Sequence, residues 1–488
     1  MAELSPSEWL DKLNARFTAA TRPQWQDKKC RPREIRPRNE ELDTLWSYYV
    51  GDAPLPQVAE DYQDVFRDVM RTARCNYAPM CVKAMLDRME LQAVSTLVDG
   101  DTNGDDLAAQ IMDDSGFVAV AKDLFSYLFA MGESFGMAVE PAGSDNATMH
   151  AIDPRRCVGI PDRNNPVLLR AALVRDYDAV EESQSAHLFL PGRKWDVEFD
   201  GTKWAVKNEN RPEIITGLEK LGGIPVVRFL NEHGLGEYEP HLDLLDRIND
   251  MTLKRIIIAA YQAFRQRAII GDVDDDDDDD DTAEAQPVDW ASMAETIFKA
   301  DPGSLWKVPE GFKFWESSPL ELTSILTAKR DDVKEFAAVT STPLHLITPD
   351  AANGSAEGAG LMRESATSKV RDRRARSTPS MKLFWRIAFA LSKQPDRGRS
   401  MKLHWGPIEF RTLAEKASAS SQSAGTLSLE QRCQRIWEMT PEETQENINQ
   451  LVAEQIVLPN VLTAPAQATA SPVTAPATQP GPASVNAA

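Results

Sequence analysis

The chain has 488 residues, 42% of them hydrophobic, enough to bury cores in two or more domains. Five cysteines without a CxxC pair and six scattered histidines predict neither a disulfide framework nor a metal site, and no stretch approaches the ~18 apolar residues of a membrane span. A formal charge of −21 argues against a surface that grips nucleic acid, though not against one past which it slides.

The N-terminus carries Glu3, Glu8 and Asp11 and has no apolar signal-peptide core, so a soluble protein made in a cytoplasm is expected. A helix starts at Ser5, where Glu8 three residues on completes a capping box and Pro6 takes the first helical position. The first forty residues hold nine Lys/Arg against six Asp/Glu. Over residues 40–137 the apolar spacing is mostly helical, as in Val82, Met85, Leu86 and Met89. The texture then changes to short β-type runs at 137–139, 167–174, 187–190 and 195–199, divided by Pro, Gly and Asn/Asp turns, which makes the N-terminal half α+β.

A long helix is predicted over residues 240–270, with Leu245, Ile248, Met251, Ile256 and Ala260 at helical spacing; at 1.5 Å per residue it spans roughly 45 Å. Eight consecutive aspartates follow, Asp274 to Asp281, and then a small hairpin from 304–308 and 312–315. A second helix over 319–339 starts from a box of Ser318 and Glu321 around Pro319. Next come a polar loop, 340–355, and a basic helix, 356–393, with a kink at Thr378-Pro379. After a strand at 402–410, boxes at Thr412 with Glu415 and Thr440 with Glu443 open part of a three-helix region in which Gly425 is a stop. The Ala/Pro/Thr-rich tail, 463–488, is expected to be disordered.

Chemical motifs are few. Gly132-Glu133-Ser134-Phe135-Gly136 matches the GxSxG nucleophile elbow, but that elbow needs a strand before the serine and a helix after it, and here the order is reversed. The aspartate run lacks the Gly and Glu of a calcium loop, since Asp279 and Ala285 stand at those positions, so it reads as a solvated acidic loop. No phosphate loop, complete dinucleotide fingerprint or HExxH occurs, and no cofactor is expected. The basic helix could meet phosphates or form subunit salt bridges; no aromatic residue interleaves its arginines, so duplex contact would be electrostatic alone.

Several short segments in order resemble the portal proteins of tailed bacteriophages, of the kind found in siphophages of actinobacteria. They are Tyr48-Tyr49-Val50-Gly51 with Leu55-Pro56, Ala73-Arg74 with Asn76, and Leu86-Asp87-Arg88. Further on come Tyr238-Glu239-Pro240-His241-Leu242-Asp243-Leu244-Leu245-Asp246-Arg247-Ile248-Asn249, Arg265-Gln266-Arg267, and Pro302-Gly303 with Trp306. Thr342-Pro343-Leu344-His345 and Asn353-Gly354-Ser355-Ala356-Glu357 complete the series, which spans residues 48–452.

The resemblance implies an α+β portal fold with an α/β wing, two long stem helices, a small α/β clip insert, a kinked tunnel helix and a helical crown. It implies a wing at 1–239, stem helices at 240–270 and 319–339, and between them a clip at 271–318 carrying the acidic insert. A tunnel loop at 340–355, a tunnel helix at 356–395, a strand returning to the wing at 396–411 and a crown at 412–462 follow. It further implies a structural protein, not an enzyme, in a ring of about twelve copies at one capsid vertex of the virion. Such a ring docks the terminase large subunit, passes double-stranded DNA without sequence preference during packaging and ejection, and binds head-completion proteins alongside major capsid and scaffolding proteins. By position, His345, Asp350, Asn353 and Ser355 would face DNA from the loop, and Arg363, Lys369, Arg373 and Arg376 from the helix. Asp274, Asp276, Asp278, Asp280 and Trp306 would face the clip's partners. The aspartate run departs from the family's pattern. Other readings are a different capsid-associated structural protein, or an α+β serine hydrolase using Ser134.

Overall fold

The computed structural model describes residues 4–20, 36–56, 63–96, 98, 104–141, 143, 145–180, 182–263, 267–270, 313–316, 322–347, 356–409 and 411–457. They belong to two units, Met1–Arg411 and Thr412–Ala488. Asp274 to Asp281, Trp306, Asp350, Asn353, Ser355, the 304–308 strand, the Ser318 box and the 463–488 tail lie outside the described residues.

The first unit opens with α1 (Pro6–Thr18), capped as predicted: the Ser5 amide donates to Glu8 Oε2 at 2.7 Å and the Glu8 amide to Ser5 Oγ at 3.2 Å. Then follow α2 (Arg38–Val50), α3 (Gln63–Thr72), α4 (Ala78–Leu86), β1 (Leu91–Ser95), α5 (Asp106–Ser115) and α6 (Phe117–Met131). β1 is a departure from the helical reading of 40–137. Its five residues pair antiparallel with β13 (Lys402–Trp405), and that distant partner decides their conformation.

The β-rich stretch begins with β2 (Glu133–Val139) and β3 (Thr148–Ile152), and β10 (Val226–Leu230) completes a three-stranded sheet in the order β10-β2-β3. Between them β4 (Cys157–Pro161), β5 (Leu169–Asp178), β6 (Ser183–Leu190), β7 (Arg193–Phe199) and β8 (Trp204–Val206) form a meander, with β9 (Glu213–Ile214) also on β7. Both faces of that sheet are covered, so β5 reads Leu-Arg-Ala-Ala-Leu-Val where a half-exposed strand would alternate. Ala171 and Leu173 pack with Leu10, Leu13 and Phe17 of α1 on one side; Ala172 and Val174 pack with Phe135 and Val226 on the other.

α7 (Leu242–Ala263) ends seven residues before the predicted 270, because residues 267–270 are β11 (Arg267–Ile270), paired with β12 (Lys313–Glu316). Residues 313–316 of the predicted hairpin pair with 267–270, just after the first long helix, with Ile269 opposite Phe314 and Ala268 opposite Trp315, while the hairpin's other strand lies outside the described residues. Apolar spacing at 264–270 suits either period, and β-branched Ile269 and Ile270 beside a partner strand favour the sheet. The return helix, Thr323–Val339, starts at an N-cap Leu322 that makes no side-chain cap bond, four residues later than predicted. A short helix, Leu344–Ile347, follows, and then Ala356–Leu391, which continues through Pro379 as one 36-residue helix.

The main core gathers α2, α4, α6 and β10 around the far end of that helix, where Phe384, Trp385, Ile387 and Phe389 are all buried. In the second unit the boxes at Thr412 and Thr440 form as predicted. Its helices are Leu413–Gln422, Leu429–Arg435 and Pro441–Val457, and Gly425 lies between the first two.

Candidate functional site

The polar centre of the first unit is built on the segment between β10 and α7. Its backbone is pressed against the end of α6: a Cβ on Gly236 would stand 2.4 Å from the Ala130 carbonyl oxygen, and one on Gly132, at φ +83°, 2.3 Å from that of Gly234. Side chains cannot occupy either position without moving backbone. The Glu237 amide then donates to the Phe129 carbonyl at 2.7 Å, so the carboxylate of Glu237 is fixed in place while only 3% exposed.

Three cations from successive turns of the Ala356–Leu391 helix converge there. Lys369 Nζ lies 2.7 Å from Glu237 Oε2, and Arg373 Nε 2.7 Å from Oε1, while Asn231 Nδ2 donates to Oε1 at 3.0 Å. Arg373 Nη1 also reaches Glu232 at 2.8 Å, and Arg376 binds the other oxygen of Glu232 at 3.0 Å and Asp372 at 2.7 Å. Burial would push the Glu237 carboxyl up, but the charges of Lys369 and Arg373 outweigh it and hold it below the usual carboxylate range.

Lys369 has a second partner. Its ammonium donates to the Thr340 carbonyl at 2.8 Å, capping the C-terminus of the Thr323–Val339 helix where the helix dipole favours a cation. Thr340 is itself buried, with Oγ1 donating to the Phe336 carbonyl at 2.7 Å and sharing a hydrogen bond with Thr342 Oγ1 at 2.8 Å. One lysine therefore joins the root of the first long helix to the end of the second. A cleft of about 590 Å³ runs beside it, between His233, Glu237 and His241 on one wall and Ser365, Ser368 and Asp372 on the other, with Thr340 and Ser341 at its end. Burial, and secondarily the charge of Lys369, hold the His241 imidazole below its usual value, so it is neutral at neutral pH.

The two long helices run antiparallel. Arg247 of α7 meets Asp332 at 2.9 Å and also Glu335, whereas Thr252, five residues further on, shares the Cys75 thiol with Lys329: Thr252 Oγ1 and Lys329 Nζ each lie 3.3 Å from its sulfur.

A second ion cluster ties the wall of the N-terminal half together. Glu133, first residue of β2, accepts from Arg38 Nε at 2.9 Å and from Arg228 Nε and Nη2 at 3.0 and 2.7 Å. Arg38 also donates to the carbonyls of Pro154 and Cys157.

Lys369 and Arg373 are largely buried and engaged within the subunit by Glu237, Glu232 and the Thr340 carbonyl, whereas Arg376, paired with Glu232 and Asp372, remains 44% exposed. His345 falls in the Leu344–Ile347 helix and Arg363 in the Ala356–Leu391 helix. Ser134 sits inside β2, fully buried between its neighbours, with α6 before it and strand after it, so the nucleophile-elbow geometry is not formed. The residues missed are Asn231, Glu232, Glu237 and Thr340. Among the described residues no group of three or more His, Cys, Asp or Glu is placed to hold a metal ion, and no helix is long and apolar enough to cross a membrane.

The buried charges of this frame join its own elements: Glu237 ties the β10–α7 segment to the Ala356–Leu391 helix, and Glu133 ties β2 to α2 and β10. The phage portal protein family, SPP1 Gp6-like, matches the chain over residues 29–456, and the chain belongs to that family of structural, non-enzymatic proteins of the phage particle. It is also similar to chains in solved structures of gene transfer agent particles. The neck of a native particle computed with C12 symmetry matches at 15% identity and TM-score 0.41, covering 80% of this chain and 98% of that one. The neck of an empty particle computed with C6 symmetry matches at 14% identity and TM-score 0.45, covering 86% and 96%. No curated protein matches the chain.

Proposed function

We propose that the chain is the repeating subunit of a portal ring of about twelve copies at one capsid vertex, through which double-stranded DNA passes during packaging and ejection. The observation that supports this most is the antiparallel pair, α7 and Thr323–Val339, whose β11–β12 insert carries the chain out and back before a polar loop leads into the 36-residue helix. Such an arrangement leaves long helices without a full set of neighbours in one subunit and lines a channel when repeated around an axis.

In this reading residues 1–239 and 396–411 are the wing, closed by the β1–β13 pairing, and the antiparallel helices are the stem. Residues 271–318 are the clip, 340–355 the tunnel loop, 356–395 the tunnel helix and 412–462 the crown. His345, Asp350, Asn353 and Ser355 face the DNA, whereas Lys369, Arg373 and Arg376 serve the joint described above. An acidic chain that spends Lys369 and Arg373 on its own Glu237 lets a polyanion slide past without being held.

The clip docks the terminase large subunit and then head-completion proteins, with Asp274, Asp276, Asp278, Asp280 and Trp306 toward them. An eight-aspartate run steers a basic partner by long-range attraction, so docking weakens as salt rises. Replacing Asp274 to Asp281 by Ser/Gly removes that salt dependence; unchanged binding and salt response would show that the run does not steer docking. Ring formation is tested by negative-stain imaging of the purified chain. Rings of about a dozen subunits around a central hole are expected, and a monomer under all conditions would sink the proposal.

A further inference from the structure

The Ala356–Leu391 helix is held in two different ways along its length. Beyond Pro379 it is anchored by apolar packing: Met381, Leu383, Phe384, Trp385, Ile387, Ala388 and Phe389 are buried. Before it, Val370 is the one buried apolar side chain among residues 364–378, and the other holds are polar: Lys369, Arg373 and Arg376 on Glu237, Glu232 and the Thr340 carbonyl, and Arg374 on the Arg88 and Gly406 carbonyls at 3.0 and 2.9 Å. The two halves meet where the backbone is weakest. Pro379 has no N–H to give the Ala375 carbonyl, and Thr378 Oγ1 turns back to the Arg374 carbonyl at 2.6 Å, a bond that favours bending.

These two kinds of anchor differ in what it takes to undo them. Separating apolar faces exposes them to water and costs in proportion to their area. An ion cluster has already lost its hydration on burial, and that loss offsets most of its Coulomb attraction. When both sides come away together, each charge regains water, so an intact cluster releases far more easily than an apolar face of equal size. The cleft of about 590 Å³ beside Lys369 means that solvent already reaches one side of it.

We propose that residues 364–378 form a lever, latched by Lys369 and Arg373 on Glu237 and by Arg374 on the Arg88 and Gly406 carbonyls, that detaches as a unit about the 375–379 segment while residues 381–391 remain in the core. Because Lys369 also caps Thr340, the same step releases the C-terminal turn of the Thr323–Val339 helix. Lys369 is thus a positioning residue that couples the two helices, and this stands on the intramolecular contacts alone, independent of ring formation or DNA passage.

Hydrogen exchange with mass spectrometry on the full chain tests it. In the unaltered protein the amides of 364–378 should exchange in a separate, faster step than those of 381–391; equal rates overturn the lever. In a Glu237→Gln/Lys369→Met double variant, which leaves no single unpaired charge between these two, exchange over 364–378 should rise at least about tenfold with 381–391 unchanged. The Thr342 amide, bonded to the Ala337 carbonyl at 2.8 Å, should join the faster set. Arg371→Gln, on the exposed side of the same half, should leave all rates as they were. Acceleration of both halves together, or of neither, refutes the proposal.

Discussion

Glu133→Gln is the most informative single change in the wall of the first unit. The carboxylate is 13% exposed and bonded by two guanidinium groups, Arg38 at 7% and Arg228 at 25% exposure. Burial would raise its pKa, but Arg38 and Arg228 outweigh that and hold it down at about 2, against an ordinary value of 4.5. At about 1.4 kcal/mol per unit, that difference corresponds to about 3 kcal/mol of stability at pH 7. It agrees with the ~3–5 kcal/mol lost when one partner of a buried ion pair is removed.

Because the folded value lies below the unfolded one, this contribution is complete above pH 4.5 and is lost as pH falls toward 2. By pH 3.5 about 1 kcal/mol of it has gone. Urea unfolding of the two proteins followed by circular dichroism should therefore show a gap of about 3 kcal/mol at pH 7 that narrows by about 1 kcal/mol at pH 3.5. Glutamine does not titrate, so the narrowing belongs to Glu133. A gap that is the same at both pH values would refute the assignment of the stabilisation to the carboxylate charge.

Four further outcomes are expected in the first unit. Ser134 Oγ is buried without a hydrogen-bond partner, so Ser134→Ala should leave stability unchanged or raise it by up to about 1 kcal/mol in urea unfolding, and an ester-hydrolysis assay should show no activity to lose. Gly132→Ala should cost about 3 kcal/mol or more, from positive φ together with the clash on the Gly234 carbonyl. Gly136→Ala, whose Cβ would stand 2.8 Å from the Phe384 ring, should cost about 1–3 kcal/mol in the same assay. Cys81 and Cys157 are buried, with burial pushing the Cys81 thiol up to about 12 and the Cys157 thiol higher still, so neither should react with a thiol reagent at pH 7.5 until the chain is unfolded.

What the sequence discloses here follows the range of the interactions. The boxes at Ser5, Thr412 and Thr440 are contacts within one helical turn, and they read directly. β1 is five residues long and its partner lies some three hundred residues away, so no local pattern announces it. The end of α7 is hidden for the same reason: Ile269 and Ile270 are strand because Phe314 and Lys313 are opposite them. At the joint, the positive stripe of Lys369, Arg373 and Arg376 is visible as a helical spacing, but periodicity says only that the three share a face. Which partner that face meets is settled by Glu232 and Glu237, two acids in a loop with no motif, positioned by glycines that let it lie against α6.

The pairing of β1 with β13 also bears on how the chain is made. Ser95 and Lys402 are neighbours in the sheet, yet 307 residues of synthesis separate them, roughly 15 to 60 seconds on a ribosome. During that interval β1 is an open edge beside a partly covered apolar wall, the kind of surface that seeks a strand from any nearby chain. Late closure of the first unit makes nascent copies, crowded on one messenger, the most exposed to pairing with one another.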